Sequence, residues 1–214
     1  MTGTDMVWAV GRATIGTAVK LIAPLRVYGA ERVPARGGLV VAANHFSWLD
    51  PPLLGASSPR TLYFMAKVEA HRVPGLGQLM RSFGAFAVRR GESDRDAVRT
   101  MRQIVRDGHA LGMFAEGTRQ HEVPGPVQPG AAMVAINESV PLIPAAIHGS
   151  QHWRWNFAPV SIAWGEPMTF EGLPRGGKGY KEASIEVERK LHELWQWLVE
   201  IHELGRPRDA TPPR

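Results

Sequence analysis

The sequence predicts an α/β fold with a mostly parallel central sheet flanked by helices and an amphipathic helix at the N-terminus. Short apolar runs, typical of buried strands, recur along the chain and alternate with segments of helical periodicity. Strands that alternate with helices usually pair in parallel, because each helix returns the chain to the same edge of the sheet. The composition, 44% hydrophobic and 21% charged over 214 residues, is typical of one globular domain with a substantial core.

The first segment, residues 6–28, is apolar but interrupted by two basic residues and a proline. It therefore lacks the roughly 18 consecutive apolar residues that a membrane-spanning helix needs. On a helix, Arg12, Gly16 and Lys20 form a narrow polar face opposite a broad apolar one. We expect residues 1–24 to form a helix that lies in a membrane interface, and packing of this helix on the protein's own core is the alternative.

The predicted strands are short apolar runs bounded by glycine, proline or polar residues. They lie within residues 39–43, 61–66, 84–90, 110–119, 141–149 and 158–167. The first of them follows Gly37 and Gly38 and is apolar or small throughout, as expected for a strand buried on both faces.

Helices are predicted between these strands and near the end of the chain. They begin at Pro51 or lie within residues 67–83 (two short helices), 93–108, 131–139 and 180–204. Asp50 precedes Pro51 and is expected to cap the helix that begins there. After Gly205 and Pro207 we expect residues 205–214 to form a flexible tail, which leaves residues 25–204 as the main domain.

Charge and composition restrict the classes of function. The net charge of +5 favours anionic partners, but the aromatic residues are scattered and do not interleave with a basic run, which argues against nucleic acid. The absence of cysteine excludes disulfides, thiolate metal sites and a cysteine nucleophile, and it suits a reducing compartment. His148 and His152 flank Gly149 in a predicted turn, so they are not expected to bind a metal as a helical pair.

Polar residues follow three of the predicted strands, where ligands of parallel α/β folds bind. These residues are His45, Arg90 and Glu116. The sequence has no G-x-S-x-G, H-E-x-x-H or P-loop motif. A histidine near a carboxylate without an evident protein nucleophile is suited to act as a general base, with Asp50 orienting His45. The simpler interpretations are a strand-end histidine and a helix cap, and Ser47 is a further candidate nucleophile or a local turn residue.

Longer motifs place these residues in a familiar order. The segment "NHFSWLD" resembles the first motif of the 1-acylglycerol-3-phosphate acyltransferase family, a histidine, four residues and an aspartate. "KVEAHRVPGLGQLMRSFGAFAVRR", "FAEGTR" and "VPLIPAAI" resemble its second, third and fourth motifs, and "SIAWGEP" resembles the strand and turn that follow. The similarity covers roughly residues 25–170, and four motifs in the same order make coincidence very improbable.

The resemblance implies an acyltransferase domain over residues 25–204 and assigns roles to individual residues. His45 deprotonates an acceptor hydroxyl, which attacks an acyl thioester directly, and Asp50 orients the imidazole. Arg90 is the leading ligand of the acceptor phosphate, because its planar fork makes paired charge-assisted bonds. The other expected acceptor-binding residues are Lys67, Glu116, Gly117, Thr118 and Arg119.

The resemblance further implies transfer of a fatty acyl group to the sn-2 hydroxyl of lysophosphatidic acid, which gives phosphatidic acid. Expected partners are a lysophospholipid, an acyl thioester of coenzyme A or of acyl carrier protein, and an anionic membrane surface. No metal or other cofactor is expected, and the expected location is peripheral, at the cytoplasmic face of the membrane. The alternatives are an acyltransferase of the same fold with another acceptor, such as glycerol 3-phosphate or a glycolipid, and a non-catalytic protein that binds anionic lipid.

One basic pattern lies outside these motifs. Arg95, Arg99, Arg102 and Arg106 recur on one side of the helix predicted in residues 93–108. A solvated helix face with nearby aspartates is the favoured interpretation, and docking of anionic lipid or of an acidic acyl carrier is the functional one.

Overall fold

The computed structural model describes residues 24–67, 86–88, 95–153 and 157–214. Within them, seven strands form one sheet. They are β1 Leu25–Tyr28, β2 Leu39–Ala43, β3 Leu62–Lys67, β4 Phe86–Val88, β5 Ala110–Phe114, β6 Leu142–His148 and β7 Val160–Trp164. Their order across the sheet is β1-β7-β6-β2-β5-β3-β4.

The sheet is mostly parallel, which confirms the predicted fold class. Every neighbouring pair runs in parallel except β6 and β7, which are antiparallel. Residues 149–159, which connect these two strands, contain only a short 3-10 turn, Ser150–His152, in their described part. A parallel crossover needs a longer connection, usually a helix, so this short segment favours reversal of the chain.

The central strands are buried on both faces, as the apolar runs predict. All residues of β2 and β7 are buried, and in β6 all but the last are buried. Strand β1 was not predicted as a strand. It is short, it pairs with β7 alone, and only Tyr28 is buried. An edge strand with so little burial does not need the apolar run or the clear alternation that predicts a strand, and its sequence has neither.

Four helices flank the sheet in the described residues. They are α1 Asp50–Ser57, α2 Arg95–Arg106, α3 Gly130–Glu138 and α4 Gly177–Glu203. Helix α4 confirms the predicted periodicity, because Leu194, Leu198 and Ile201 pack with Ala146 of β6 and Ala163 of β7. None of the described helices has the length and hydropathy needed to cross a bilayer.

Two predicted features lie outside the described residues. The N-terminal interfacial helix falls on residues 1–23, apart from its last position. The two short helices predicted in residues 67–83 fall almost wholly on residues 68–85.

The C-terminal segment, residues 205–214, makes contacts that its sequence does not indicate. The guanidinium of Arg32 donates hydrogen bonds to the carbonyl oxygens of Pro212 at 2.7 Å and Pro213 at 2.8 Å. Lys190 of α4 donates to the carbonyl oxygen of Arg214 at 2.7 Å. A flexible tail was expected from composition alone, and these partners, distant in sequence, hold its last residues against the domain.

The basic row on α2 also differs from both interpretations. Arg102 and Arg106 form ion pairs with Glu138 at the end of α3. Arg99 stays in solvent and lies 3.9 Å from Asp96, in a pair whose side chains are 84% and 90% exposed. Half of the row therefore joins two helices, and it is neither a fully solvated face nor a free docking surface.

Candidate active site

The site lies at one edge of the sheet, where the carboxyl ends of β2 and β5 meet. These strands are neighbours, with Ala43 opposite Phe114, and the backbone N–H of Ala115 extends the pairing by donating to the carbonyl oxygen of Ala43 at 2.8 Å. His45 and Glu116 follow directly. The fold therefore brings together two residues that the sequence placed after separate strands.

His45 and Asp50 form a buried hydrogen-bonded pair. His45 Nδ1 lies 2.8 Å from Asp50 Oδ2, and the two residues are 9% and 0% exposed. The same carboxylate oxygen accepts the backbone N–H groups of Phe46 at 2.6 Å and Ser47 at 2.7 Å. The aspartate therefore fixes both the histidine ring and the tight loop that separates the two residues.

Asp50 is the first residue of α1, and the expected helix cap is not formed. The cap position is Leu49, which makes no side-chain capping bond, and prolines occupy the next two positions after Asp50. Since proline has no N–H, the nearest helical residues offer the carboxylate no donor, and it turns back to residues 45–47.

The histidine ring is also held by packing. It stacks on the ring of Phe114, with centroids 4.0 Å apart and planes inclined by 21°. With Nδ1 bound to a carboxylate, the neutral tautomer carries its proton on Nδ1 and leaves the lone pair on Nε2. The arrangement can therefore accept a proton at Nε2 while Asp50 stabilises the imidazolium that forms.

Asn44 anchors the end of β2 on β6. Its side-chain amide donates to the carbonyl oxygen of Ile147 at 2.9 Å, and its side-chain oxygen accepts the N–H of Ile147 at 2.7 Å. The residue is fully buried. Asn44 and Phe114 were not among the predicted site residues. The available signal for Asn44 was its position next to His45 at the end of a buried strand. No local sequence pattern indicates that Phe114 stacks on the histidine.

Glu116 contacts the backbone of His45, and both of its carboxylate oxygens accept hydrogen bonds from backbone N–H groups. Oε2 accepts the N–H of His45 at 2.8 Å, and Oε1 accepts the N–H of Gly125 at 2.9 Å. Burial raises its pKa to about 7, although the two backbone hydrogen bonds act in the opposite direction. The carbonyl oxygen of His45 in turn accepts the N–H of Gln120 at 2.7 Å.

The next three residues, Gly117, Thr118 and Arg119, are exposed at this edge. Gly117 has φ 73° in a left-handed conformation that glycine adopts without strain, and a Cβ there would meet nothing closer than 3.8 Å. The glycine is therefore required by the backbone conformation and not by lack of space.

Two expected phosphate ligands, Lys67 and Arg90, stand in the sequence at or just after the ends of β3 and β4. The backbone of Lys67 ends β3 opposite Val88, the last residue of β4, so both strands end at the edge that carries His45. Arg90 and the side chain of Lys67 lie outside the described residues.

Ser47, a further candidate, has a local role. The Oγ of Ser47 accepts the N–H of Leu49 at 3.3 Å, which is a bond within the loop. In the part of the chain that the structure describes, no three histidine, aspartate or glutamate side chains cluster in a way that could hold a metal ion.

The family model and the relatives that this chain resembles are acyltransferases. A family model described as Acyltransferase matches residues 24–148. The 1-acyl-sn-glycerol-3-phosphate acyltransferase of Bacillus subtilis is 32% identical over 193 residues, which cover 83% of this chain and 96% of that protein. The lyso-ornithine lipid O-acyltransferase of Pseudomonas aeruginosa is 38% identical over 97 residues, which cover 44% of this chain and 36% of the relative.

A solved structure has the same fold. The crystal structure of the 1-acyl-sn-glycerophosphate acyltransferase of Thermotoga maritima superimposes with a TM-score of 0.74 at 25% sequence identity. The match covers 95% of this chain and 82% of that one.

The fold and the site define an α/β enzyme with a buried histidine–aspartate pair at the carboxyl edge of its sheet. The chain belongs to the 1-acylglycerol-3-phosphate acyltransferase family, which confirms the resemblance seen in the sequence motifs. An acyl donor and an acyl acceptor are the substrates of such an enzyme. Membership of an enzyme family argues against the alternative of a non-catalytic lipid-binding protein.

Proposed function

We propose that this enzyme transfers a fatty acyl group from an acyl thioester to the sn-2 hydroxyl of lysophosphatidic acid, which yields phosphatidic acid. The observation that carries the proposal is the buried pair of His45 and Asp50, with 2.8 Å between Nδ1 and Oδ2. The names of the Bacillus and Thermotoga relatives support the choice of acceptor.

In the proposed mechanism, Nε2 of His45 removes the proton of the acceptor hydroxyl as its oxygen attacks the thioester carbonyl. The new carbon–oxygen bond forms a tetrahedral intermediate. The intermediate then collapses with cleavage of the carbon–sulfur bond, and the leaving thiolate takes the proton from the imidazolium. Asp50 stabilises the positive charge of the ring between these two proton transfers.

The acceptor phosphate is assigned to the exposed loop next to the histidine. Arg119 supplies a guanidinium, and exposed Thr118 supplies a hydroxyl, while the N–H of Gly117 is bonded to the carbonyl oxygen of Phe114 at 3.1 Å. Arg90 and Lys67 are assigned to the same phosphate by family resemblance, since both follow or end strands at this edge of the sheet.

We assign the same sheet edge to an anionic membrane surface at the cytoplasmic face. Because β1 and β7 run opposite to the other strands, β1 begins at the edge where β2 ends. Residues 1–24, the expected interfacial helix, therefore precede a strand that begins at this edge of the sheet. Two large exposed aromatic residues, Trp48 at 61% and Phe157 at 58%, also lie at strand ends of this edge, and Arg119 adds positive charge.

The decisive experiment compares acyl transfer by the purified enzyme and by two variants. The wild type is incubated with labelled acyl-coenzyme A or acyl-acyl carrier protein and lysophosphatidic acid, which also identifies the donor. His45→Ala should lower the rate at least 1000-fold and keep membrane binding. Ser47→Ala is the matched control, because its hydroxyl makes only a bond within the loop, and it should keep most of the activity.

Retention of full activity by His45→Ala would overturn the mechanism. Loss of activity in Ser47→Ala without loss of folding would favour a serine nucleophile instead.

A second acceptor class follows from one relative. The Pseudomonas protein is named for acylation of lyso-ornithine lipid, although this chain spans about a third of its length. The acceptor panel therefore includes a lyso-aminolipid, glycerol 3-phosphate and a glycolipid. Faster transfer to one of these than to lysophosphatidic acid would reassign the substrate and keep the catalytic pair.

A further inference from the structure

The backbone of His45 is bonded at both of its polar groups to one turn of the chain. Its N–H donates to Glu116 Oε2 at 2.8 Å, and its carbonyl oxygen accepts the N–H of Gln120 at 2.7 Å. Residues 116–120 therefore form a clamp on the peptide groups of the histidine that the proposed mechanism uses.

The carboxylate of Glu116 is committed to these structural bonds. It is 5% exposed, and its second oxygen accepts the N–H of Gly125 at 2.9 Å. It thereby joins the end of β2 to the long loop that follows β5.

We propose that Glu116 is a positioning residue, which fixes the backbone of His45 and the loop at Gly125 and does not bind the acceptor. The proposal rests on the proposed function, since it assigns the effect of Glu116 on transfer to His45. The family resemblance had placed Glu116 among the acceptor ligands.

The energetic reason lies in the geometry of proton transfer. The imidazole must present Nε2 to the hydroxyl while Nδ1 stays on Asp50, so a shift of the backbone at residue 45 displaces both nitrogens. Misplacement by about 1 Å can lower a rate about 100-fold. Removal of one acceptor from the clamp permits such a shift and leaves a buried N–H without a partner.

The test is Glu116→Gln, which keeps the length of the side chain and only one acceptor oxygen. Its amide NH₂ then faces a backbone N–H, and one of the two bonds is lost. We expect kcat to fall about 10- to 100-fold, while KM for lysophosphatidic acid changes less than about twofold. Arg119→Ala serves as the contrast, because loss of a phosphate ligand should raise KM for the acceptor.

The opposite result would overturn the positioning role: in Glu116→Gln, KM for the acceptor would rise at least tenfold and kcat would stay unchanged. If this variant fails to fold, as judged by circular dichroism, Glu116→Asp is measured in its place. Its carboxylate is too short to reach both N–H groups, and the same fall in kcat with little change in KM is expected.

A second readout is independent of the substrate. The ring of His45 is followed by NMR of enzyme labelled at histidine Cε1, with His45→Ala used to assign its resonance. We expect Glu116→Gln to shift the resonance of His45 and leave that of exposed His121 unchanged. An unchanged His45 resonance in Glu116→Ala, which removes both acceptors, contradicts the proposal. If the wild type acylates no acceptor, the proposed function fails, and the resonance alone decides the role of Glu116.

Discussion

Asp50 holds His45 from two directions, because its Oδ2 binds the ring at Nδ1 and also binds the backbone N–H groups of Phe46 and Ser47. A single oxygen therefore sets the tautomer of the imidazole and the shape of the loop. Its other oxygen, Oδ1, is buried without a hydrogen-bond partner among the described residues.

Asp50→Asn should lower kcat about 1000- to 10,000-fold. The amide stabilises an imidazolium poorly and favours the wrong tautomer when its NH₂ faces Nδ1. Transfer rates measured from pH 6 to pH 9 check this, with the thermal unfolding midpoint as a control for folding. A rate within tenfold of wild type would show that the carboxylate is not needed for proton transfer.

Asn44→Ala should destabilise the fold by about 2–4 kcal/mol, because both backbone groups of Ile147 lose their buried partners. Urea unfolding measures the free energy of unfolding. The control is Asn137→Ala, which removes one partly exposed bond from Tyr180 and should cost about 1 kcal/mol. Equal losses in the two variants would contradict the special role of Asn44.

The ion pairs between α2 and α3 give a prediction about stability alone. Burial raises the pKa of Glu138, but hydrogen bonds from Arg106 and Arg102 outweigh it and hold the pKa below its usual range. Glu138→Gln should destabilise the protein by about 1–2 kcal/mol, and exposed Arg99→Ala by less than about 0.5 kcal/mol. Chemical denaturation of both variants at 50 mM and 500 mM salt checks this order, and a larger effect of Arg99→Ala would refute it.

Trp48→Ala should weaken the use of acceptor presented in anionic vesicles about tenfold, since full burial of a large apolar side chain is worth about 1.5–3 kcal/mol and tenfold is about 1.4 kcal/mol. Transfer to a short-chain, water-soluble lysophosphatidic acid should change less than about twofold. The control is Ile185→Ala, which removes a similarly exposed apolar side chain from α4. Equal losses with both acceptors would place Trp48 in the catalytic step and not at a membrane.

Acid should destabilise the protein through two histidines near the start of β7. Burial lowers the pKa of His148 to about 4 and that of His202 to about 4, and neighbouring positive charge acts in the same direction. The unfolded chain binds protons at these positions near pH 6.5, so stability is complete above this pH and is lost as the pH falls toward 4. Because the pKa of Glu116 is raised to about 7, its protonation adds stability as the pH falls from about 7 to 4.5. This effect opposes that of the histidines, but it comes from one group and theirs from two.

Urea midpoints at pH 7.5 and pH 5 measure this effect. His202→Gln, which can still bond to Ser161, should show a smaller loss between the two values than the wild type. An equal loss in the variant would assign the acid sensitivity to other groups.

The sequence predicted the parts of this protein that depend on local pattern. Buried strands such as β2 and the long helix α4 carry periodicities that tertiary contacts reinforce, and the strand ends indicated where His45 and Glu116 would meet. Features that depend on distant partners were not predicted. Strand β1 is defined by its pairing with β7. The carboxylate of Asp50 turns away from its own helix and binds His45. Arg106 of α2 pairs with Glu138 of α3, and strand β5 lies between these two helices in the chain.

The contact between Arg32 and the last residues has a consequence for how the domain opens. This guanidinium, 9% exposed, binds Glu166 and the carbonyl oxygens of Trp164, Pro212 and Pro213. Pro212 and Pro213 are therefore held against the outer strands through Arg32. If these two residues detach, the guanidinium of Arg32 loses two of its four acceptors. Cleavage within residues 205–214 by a protease of broad specificity should therefore be slow in the native protein and fast once the outer strands separate.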